Sequence, residues 1–219
     1  MTGVVPRVVP LGDSAVTIVI GEGISRDLSR EVLRIAETLQ SAPMIAEVVP
    51  AYASLTLFYD PLAVTYAELL DGIRPLVERS QLDPAAGTTD APRTVHIPVH
   101  YDGEDLAEVA ERTGHDVDGV VALHSEREYH VYIIGFVPGF AYLGDLHPSL
   151  ILPRRSTPRK RVPAGSVAIA EAQTGVYPFS TPGGWHLIGR TEVKMFDSTS
   201  NEPALLRVGD RVVFDRVSE

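Results

Sequence analysis

Cysteine is missing from this sequence of 219 residues. Disulfides, zinc sites built on thiolates and a cysteine nucleophile are therefore excluded. Long apolar runs are missing as well. Residues 1–11 contain no apolar stretch of the length that a signal peptide needs, and no stretch approaches the roughly 18 apolar residues of a membrane span. We expect a soluble cytoplasmic protein that has no membrane partner.

Basic charge is also in short supply. Lys and Arg number 19 against 29 Asp and Glu, which gives a formal net charge of −10 at pH 7. Nucleic acids and anionic membranes both attract basic surfaces, so neither is expected as a partner. The remaining composition is ordinary for a globular protein, with 44% hydrophobic and 22% charged residues. A chain of this length can bury a core without metal or disulfides.

Several common catalytic motifs are absent too. The sequence has no G-x-x-x-x-G-K-[ST] loop for a nucleotide and no H-E-x-x-H zinc motif. It has no G-x-S-x-G nucleophile elbow, because residues 164–168 read AGSVA and lack the glycines of the pattern, including the last. His96 and His100 lie on a predicted strand that separates them by roughly 13 Å, too far to share a metal. We predict no metal site, and the chain shows a binding surface more clearly than a catalytic machine.

Residues 1–82 have the pattern of a small α/β domain. Alternating apolar residues predict a strand at 14–20, and apolar residues at helical spacing predict a helix over 28–39. Two further strand-like runs follow, at 45–49 and 54–59. The order strand–helix–strand–strand, completed by a second helix, predicts a ferredoxin-like α+β layer.

That second helix is predicted to begin beside Thr65, which forms a T-x-x-E capping box with Glu68. Pro75 lies inside the helix and should kink or shorten it. Residues 83–93 lack periodicity and are rich in proline and small residues, as expected of a linker. The inward face of the helix is predicted to carry four apolar residues, Tyr66, Leu69, Ile73 and Leu76.

Residues 94–219 follow a different pattern. Helices are predicted at 104–113, where Gly114 follows, and at 117–124, where Asp116 precedes. Many short strands with Gly/Pro turns predict a closed or nearly closed β-barrel, so the fold class is α+β. The predicted strands cover six segments, 94–99, 129–134, 166–170, 185–188, 192–196 and 211–214.

Three clusters in this second half carry the functional information. The first, GFVPGFAYLG at 135–144, combines glycines that permit a close backbone approach with aromatic rings that can wall a pocket. Its candidate substrate-binding residues are Phe136, Pro138, Phe140 and Tyr142. The alternative is a structured barrel loop in which the aromatic residues only pack.

The second cluster, LPRRSTPRKRVP at 152–163, is strongly basic. Five basic residues fall within eight positions, and no acidic residue occurs between Asp145 and Glu171. In an acidic protein such a run is a local positive field, and the planar fork of arginine suits carboxylate or phosphate. The alternative is a solvated basic loop.

The third cluster comprises QTGVYP at 173–178 and TPGGWHLIGRT at 181–191. Its Pro-Gly-Gly turn exposes backbone N–H groups, and Trp185 beside the turn can stack on a substrate. The alternative is a hairpin turn in which Trp185 anchors the core, the commoner fate of a single tryptophan.

The ordered motifs GFxPGFxYLG, PRRxxPRxRVPAGSV, QTGxYP and PGGWxLIGRT together resemble one family of carboxyltransferase domains. It is the allophanate hydrolase subunit 1 family, which includes the B subunit of 5-oxoprolinase and the sporulation kinase inhibitor KipI. GDSAVTI at 12–18 and YDGEDL at 101–106 extend the resemblance over essentially the whole chain. It implies an N-terminal α/β domain followed by a cyclophilin-like β-barrel. It also implies a functional pocket formed by two sets of residues, catalytic Arg154, Arg159 and Arg161 and substrate-binding Gln173, Tyr177, Trp185, His186 and Arg190.

The resemblance leaves three functions open. The first is a role in an ATP-dependent 5-oxoprolinase, which hydrolyses a cyclic amide to L-glutamate. The chain would share a site with a subunit 2-type partner, similar to the C subunit of 5-oxoprolinase, and with a third protein similar to the A subunit. ATP with Mg²⁺ would act in the assembled complex, where the arginines would stabilise developing phosphate charge. Replacing Arg159 by Ala should then strongly lower the activity of the complex while folding is retained.

The other two functions would use the same surface differently. One is a biotin-linked carboxyltransferase or allophanate hydrolase component, in which the arginines would hold a carboxylate or carbamate. The other is a KipI-like inhibitor of a histidine kinase, in which exposed proline-rich turns would contact the partner protein.

Overall fold

The computed structural model describes residues 6–82 and 92–217. The chain divides into two compact units, Met1–Ala91 and Pro92–Glu219, and each has its own hydrophobic core. Within the described residues, no helix is long and apolar enough to cross a membrane.

The predicted linker at 83–93 lies mostly outside the described residues. Arg93, its last residue, is held by the second unit. Its Nε donates to Asp210 Oδ1 at 3.1 Å, and its carbonyl accepts from the backbone N–H of Arg211 at 2.8 Å. The C-terminal end of the predicted linker is therefore fixed to the second unit by hydrogen bonds.

The first unit contains one sheet and two helices, so the α+β prediction is confirmed. The strands pair antiparallel in the order β1-β2-β4-β3. Buried apolar side chains from the central strands and both helices form the core. In chain order the elements are β1 Arg7–Pro10, β2 Ala15–Val19, α1 Arg26–Gln40, β3 Glu47–Pro50, β4 Ser54–Phe58 and α2 Tyr66–Leu82.

Strand β1 was not predicted from the sequence pattern. It lies at the edge of the sheet, where Val8 pairs with Ile18 of β2. A ferredoxin-like layer takes its fourth strand from the segment after the second helix, whereas this sheet takes it from the segment before β2. The strand has only four residues, of which Arg7 and Pro10 are exposed, so the chain has no room for a clear alternating pattern.

The capping box at the start of α2 is confirmed. The Thr65 N–H donates to Glu68 Oε2 at 2.9 Å, and the Glu68 N–H donates to Thr65 Oγ1 at 3.3 Å. Leu69 and Ile73 are buried as predicted, but the prediction for Tyr66 was wrong, because it is 38% exposed.

Pro75 was predicted to kink or shorten α2, and it does not shorten the helix, which continues to Leu82. A proline at this position removes the N–H that would bond the carbonyl of Asp71, one turn earlier. Pro75 and Asp71 are both exposed. Water can therefore replace the lost partner, which lowers the cost of the proline.

The second unit is built mainly from short strands. It also contains a short 3₁₀ turn, Pro148–Leu150. The two predicted helices are confirmed, with Gly114 left-handed after α3 and Asp116 accepting the Gly119 N–H at the start of α4. In chain order the elements are β5 Thr94–Val99, α3 Leu106–Thr113, α4 Val117–Ser125, β6 Glu128–Ile134, β7 Ala141–Gly144, β8 Arg159–Val162, β9 Ser166–Ala170, β10 Gln173–Val176, β11 Thr181–Gly183, β12 His186–Arg190 and β13 Arg211–Arg216.

Seven of these strands form a nearly closed sheet, in the order β12-β9-β10-β7-β6-β13-β5. The ends of that order are joined by a bridge between His100 and Arg190. The His100 N–H donates to the Arg190 carbonyl at 2.9 Å, and the Arg190 N–H donates back at 2.8 Å. The barrel prediction is therefore confirmed. Strands β8 and β11 pair separately as a two-stranded sheet.

The prediction of a strand at 192–196 was wrong. Only Phe196 forms an isolated bridge, with Ala204, and Met195 accepts the backbone N–H of Leu205 at 3.0 Å. The end of this segment therefore pairs with the nearby residues 204 and 205 and does not join a strand of the barrel. Conversely, four strands in the Gly/Pro-rich segments were not predicted, β7, β8, β10 and β11.

Side chains from all seven barrel strands contribute to the larger core, together with α3 and α4. Strand β9 is buried on both faces. Val167 and Ile169 point into the larger core, whereas Ala168 and Ala170 belong to a smaller apolar cluster on the other face. The smaller cluster also includes Phe140 and six further buried or half-buried residues, Val137, Tyr142, Val162, Tyr177, Trp185 and Leu187.

His124 is fully buried, and its ring packs against Tyr129 and Phe214 of the larger core. The Thr174 hydroxyl donates its only hydrogen to the Ala168 carbonyl at 3.0 Å, so it accepts from His124 Nε2 at 2.8 Å. His124 Nδ1 is then the bare nitrogen that accepts from the Tyr101 hydroxyl at 2.8 Å. Burial lowers the pKa of His124 to about 3, so the ring is neutral near pH 7.

Candidate functional site

A cavity of about 270 Å³ lies over the smaller apolar cluster of the second unit. All three clusters that the sequence singles out contribute to its walls, although they are separated along the chain. The lining residues are Phe136, Phe140, Tyr142, Arg154, Arg155, Pro158, Tyr177, Pro182, Gly183, Gly184 and Trp185. Six of them were predicted as site residues, Phe136, Phe140, Tyr142, Arg154, Tyr177 and Trp185.

The first unit has a larger cavity, of about 420 Å³, between α2 and the β1–β2 edge. Its lining is mainly apolar, with Arg74 and Glu78 among the polar residues. It contains none of the motif residues, and it begins at Pro6, next to residues that the structure does not describe. The cavity of the second unit is therefore the candidate site.

Phe140 organises the aromatic wall of this site. It is 2% exposed, and its ring centroid lies 4.9 Å from Tyr142, 5.3 Å from Tyr177 and 5.5 Å from Trp185. All three contacts are edge-to-face, the arrangement that the quadrupoles of aromatic rings favour. The rings therefore form a packed wall for an apolar or planar ligand.

Phe136 lies at the cavity with its backbone in the left-handed region, at φ 70°. The residue is 59% exposed, and its ring contacts Phe140 edge-to-face, with the ring centroids 5.6 Å apart. A left-handed L-residue costs about 1–2 kcal/mol. The turn is held by three backbone hydrogen bonds. The Gly135 N–H donates to the Phe140 carbonyl at 3.0 Å, the Val137 N–H to the Gly135 carbonyl at 2.9 Å and the Phe140 N–H to the Val137 carbonyl at 3.1 Å. The turn thus keeps an exposed aromatic ring at the cavity at the expense of backbone strain.

Two tyrosines supply hydroxyl groups beside the aromatic wall. Burial raises the pKa of Tyr142, although the positive charge of Arg154 opposes this shift. Burial likewise raises the pKa of Tyr177, whose hydroxyl bonds the backbone of Trp185. Both hydroxyls are therefore protonated near pH 7 and act as neutral hydrogen-bonding groups.

Arg154 is the available cation of the cavity. It is exposed and makes no hydrogen bond or ion pair with the residues that the structure describes. Its neighbours in the chain are hydrogen-bonded to residues 184 and 186, at the start of β12. His186 Nε2 donates to the Pro153 carbonyl at 2.9 Å, and the Arg155 N–H donates to the Gly184 carbonyl at 2.8 Å. The Arg154 guanidinium can therefore bind an anion without first breaking an ion pair.

Arg155 and Arg159 are already paired. Asp105 is 3% exposed, and its Oδ1 accepts from Arg155 Nη1 at 2.8 Å and from Arg159 Nη2 at 2.7 Å. Arg159 Nε also contacts Glu104 at 2.7 Å. Burial alone would lower the pKa of Arg159, but Asp105 and Glu104 outweigh it and raise the pKa. Arg155 also contacts Glu108, at 3.2 Å.

Six predicted site residues do not line the cavity. Arg159 is committed to its carboxylates, and Arg161 is exposed with Nε on Ser180 Oγ at 2.9 Å. Arg190 Nε pairs with Asp102 at 2.7 Å. His186 is fully buried, so its contribution is to hold the Pro153 carbonyl. The remaining two are Pro138, which is exposed, and Gln173, which begins β10.

Sequence reasoning missed Asp105, whose contacts connect the site. Besides the two arginines, its Oδ2 accepts from the Leu187 N–H at 2.7 Å, and its own N–H donates to the Leu187 carbonyl at 3.0 Å. Asp105 belongs to the YDGEDL motif, which marked it as part of the family pattern but gave no role. Gly103 of the same motif has space only for hydrogen, because a Cβ there would lie 2.4 Å from the backbone of Ile188.

The lining residues provide binding groups but no catalytic base. They include arginines, tyrosines, aromatic residues, prolines and glycines, and none is Asp, Glu, His, Lys, Ser or Thr. Within the described part of the chain, no group of His, Asp or Glu side chains could hold a metal ion. The lining can therefore bind and orient a ligand, and it contains no carboxylate or imidazole to act as a proton acceptor.

Comparison with known families covers nearly the whole chain. The family described as carboxyltransferase domain, subdomain C and D, matches residues 6–206. The chain belongs to this family. The family resemblance that the sequence motifs carried is thereby confirmed.

Two curated relatives match this chain over more than nine tenths of their own length. It is 43% identical over 221 residues to the B subunit of 5-oxoprolinase from Bacillus subtilis strain 168, covering 95% of this chain and 92% of that protein. It is also 43% identical over 211 residues to the B subunit of 5-oxoprolinase from Haemophilus influenzae, covering 95% and 96%.

Among solved structures, the crystal structure of TTHA0988 is similar, with a TM-score of 0.82 and 42% identity. The match covers 94% of this chain but 40% of that protein, so the chain spans less than half of TTHA0988. In that relative a similar segment is joined to further polypeptide.

Proposed function

We propose that this chain is the ligand-binding subunit of an ATP-dependent 5-oxoprolinase. In this role it binds a small cyclic amide that carries a carboxylate, and it forms the catalytic site together with partner proteins. The observation that carries the proposal is Arg154, an unpaired guanidinium beside an aromatic-walled cavity, in a chain 43% identical to proteins named as the B subunit of 5-oxoprolinase.

The chemistry of the cavity suits such a substrate. The carboxylate of 5-oxoproline can form charge-assisted hydrogen bonds with Arg154, and its five-membered ring can lie against Phe140 and Trp185. The protonated hydroxyls of Tyr142 and Tyr177 offer donors for the lactam carbonyl. A volume of about 270 Å³ is close to the lower end of ordinary ligand pockets and suits a small ring compound.

Hydrolysis of a lactam needs more than this chain provides. The cavity has no general base among its lining residues, and the name of the relatives implies an assembly of several subunits. We therefore propose two partner proteins, one similar to the C subunit and one similar to the A subunit of 5-oxoprolinase. They would supply the proton acceptor and the nucleotide site.

ATP with Mg²⁺ does not fit the cavity of this chain. No lining carboxylate is available to hold Mg²⁺, and two of the three nearby arginines already pair with acidic residues. We therefore assign the nucleotide to another member of the complex. The role of this chain is to bind the carboxylate and to orient the ring.

The chain's only tryptophan, Trp185, lines the cavity, so its fluorescence reports binding directly. We expect 5-oxoproline to change this fluorescence in a saturable manner. Arg154→Met should weaken binding at least about tenfold, because a hydrogen bond to a charged group contributes roughly 1.5–3 kcal/mol. Lys160→Met removes an exposed charge from the same segment, outside the cavity, and should leave binding unchanged.

Activity provides the second arm of the test. The chain reconstituted with both partners should release phosphate from ATP in a 5-oxoproline-dependent manner, and Arg154→Met should raise KM more than it lowers kcat. Full activity of this chain without partners would contradict the shared site. Absence of 5-oxoproline binding to the chain and to the complex, or turnover that depends on a biotin carrier, would overturn the proposal.

A further inference from the structure

The acidic residues around the arginines set the charge of the candidate site. Asp105 is the central one, because a single carboxylate oxygen accepts from both Arg155 and Arg159. Glu104 adds a contact to Arg159 at 2.7 Å, and Glu108 adds one to Arg155 at 3.2 Å. The basic cluster in the sequence is therefore not a bare positive field.

The charges in this network balance. Glu108 is shared with Arg112, at 3.1 Å, so the network contains three carboxylates and three guanidinium groups. Lys160 and Arg161 are exposed and do not line the cavity. Arg154 is then the one lining cation without a carboxylate partner among the described residues.

We infer that Asp105, supported by Glu104 and Glu108, makes the cavity selective for a singly charged carboxylate over phosphate. The inference rests on the proposed function and deepens it, because it names a specificity-determining residue for the same cavity. A carboxylate needs one uncommitted guanidinium, which Arg154 provides. A phosphate dianion needs more positive charge, and Asp105 holds the two guanidinium groups that could supply it.

Two donor atoms of the paired arginines take no part in these ion pairs. Arg155 Nε and Arg159 Nη1 are buried and have no partner among the described residues. Because both atoms are buried and Arg159 does not line the cavity, the network acts on a ligand through its charge and not through these donors. Removing a carboxylate from the network should therefore raise the affinity of the cavity for phosphate.

The test measures Trp185 fluorescence with three probes at constant ionic strength, 5-oxoproline, acetate and inorganic phosphate. In the unmodified chain, we expect both carboxylates to bind at least about tenfold more tightly than phosphate. In Asp105→Asn we expect phosphate affinity to rise roughly tenfold, the size expected for one unit charge several ångströms from the anion. A purely structural role for Asp105 would weaken every probe and strengthen none.

A second variant tests the same inference and leaves the buried Asp105 unchanged. Glu104 and Glu108 are 62% and 45% exposed at the side chain, so the double variant Glu104→Gln/Glu108→Gln should fold and also gain phosphate affinity. Glu111→Gln is the control, because Glu111 is an exposed carboxylate on α3, the helix that carries Glu108, and has no ion pair among the described residues. It should leave the ratio of carboxylate to phosphate affinity unchanged.

The outcomes separate the two proposals. Acetate binding without 5-oxoproline binding would defeat the proposed function while the selectivity could still be measured. Phosphate binding as tight as acetate binding in the unmodified chain would overturn the selectivity. So would an unchanged phosphate affinity in the Glu104→Gln/Glu108→Gln variant, whether or not Asp105→Asn folds.

Discussion

Gly183 lies directly against the hydroxyl of Tyr177: a Cβ at residue 183 would come within 2.4 Å of that oxygen. Tyr177 is 2% exposed and contacts Phe140, so it cannot move aside without disturbing the aromatic wall. The close approach explains why glycine stands at this position of the Pro-Gly-Gly turn. The hydroxyl would otherwise lose its place next to the backbone of Trp185.

This contact predicts different effects for two adjacent glycines. Gly183→Ala should displace Tyr177, lower the free energy of unfolding by about 1–3 kcal/mol and shift the emission of Trp185. Gly184→Ala is the matched control, because its Cβ would meet only ordinary contacts, the shortest at 3.7 Å. Denaturant unfolding and fluorescence spectra of the two variants measure the difference. Equal stability of the two would contradict the close approach.

The left-handed conformation of Phe136 predicts an unusual order of stability. Phe136→Gly and Phe136→Ala both remove the ring, but only alanine retains the steric cost of φ 70°. We expect the glycine variant to be the more stable by roughly 1 kcal/mol, whereas glycine is ordinarily the less stable of the two. Chemical denaturation checks this order. The alanine variant being equally or more stable would show that the turn relaxes.

The same pair of variants tests the role of the Phe136 ring. If the ring contacts the ligand, both should weaken 5-oxoproline binding to a similar extent, in spite of their different stabilities. Titration with Trp185 fluorescence measures this. Unchanged affinity in both variants would mean that the exposed ring serves another purpose.

Acid should destabilise the second unit through His124. Its pKa is about 3 in the folded chain and near 6.5 when unfolded, so the unfolded chain binds the extra proton between these values. The sign follows: the stability contributed by the neutral ring is complete above about pH 6.5 and is lost towards pH 3, by about 1.4 kcal/mol for each pH unit.

Two measurements check this dependence. The ring protons of His124 should keep the chemical shift of a neutral imidazole at pH 5. His124→Gln should be less stable at pH 7, yet lose less stability than the unmodified chain between pH 6 and pH 4.5. An equal slope in both chains would show that other groups govern the acid response.

Arg159 and Arg161 should behave differently, although the family resemblance assigns both to one catalytic set. Arg159→Met leaves the buried carboxylate of Asp105 with fewer partners and should destabilise the fold by roughly 1–3 kcal/mol. Arg161→Met removes one exposed hydrogen bond to Ser180 and should change stability by less than about 0.5 kcal/mol. Thermal unfolding of both variants checks this contrast.

The sequence determined the elements that depend on neighbours along the chain. The capping box at Thr65 and the left-handed Gly114 involve residues within a few positions of each other, so local pattern suffices. The family motifs likewise indicated the α+β class, the barrel and six of the residues that line the cavity. The short strands in the Gly/Pro-rich segments were not predicted, because three or four residues are too few to show a clear alternation of apolar and polar side chains.

Only the tertiary structure decided which arginine is available. In the sequence Arg154, Arg155 and Arg159 belong to one basic run, and the nearest acidic residues are far from it along the chain. Folding brings Asp105, about fifty positions earlier in the chain, against two of them and leaves Arg154 unpaired. Ion pairing depends on distance in space, which sequence separation does not record, so the charge that a ligand meets is a property of the fold.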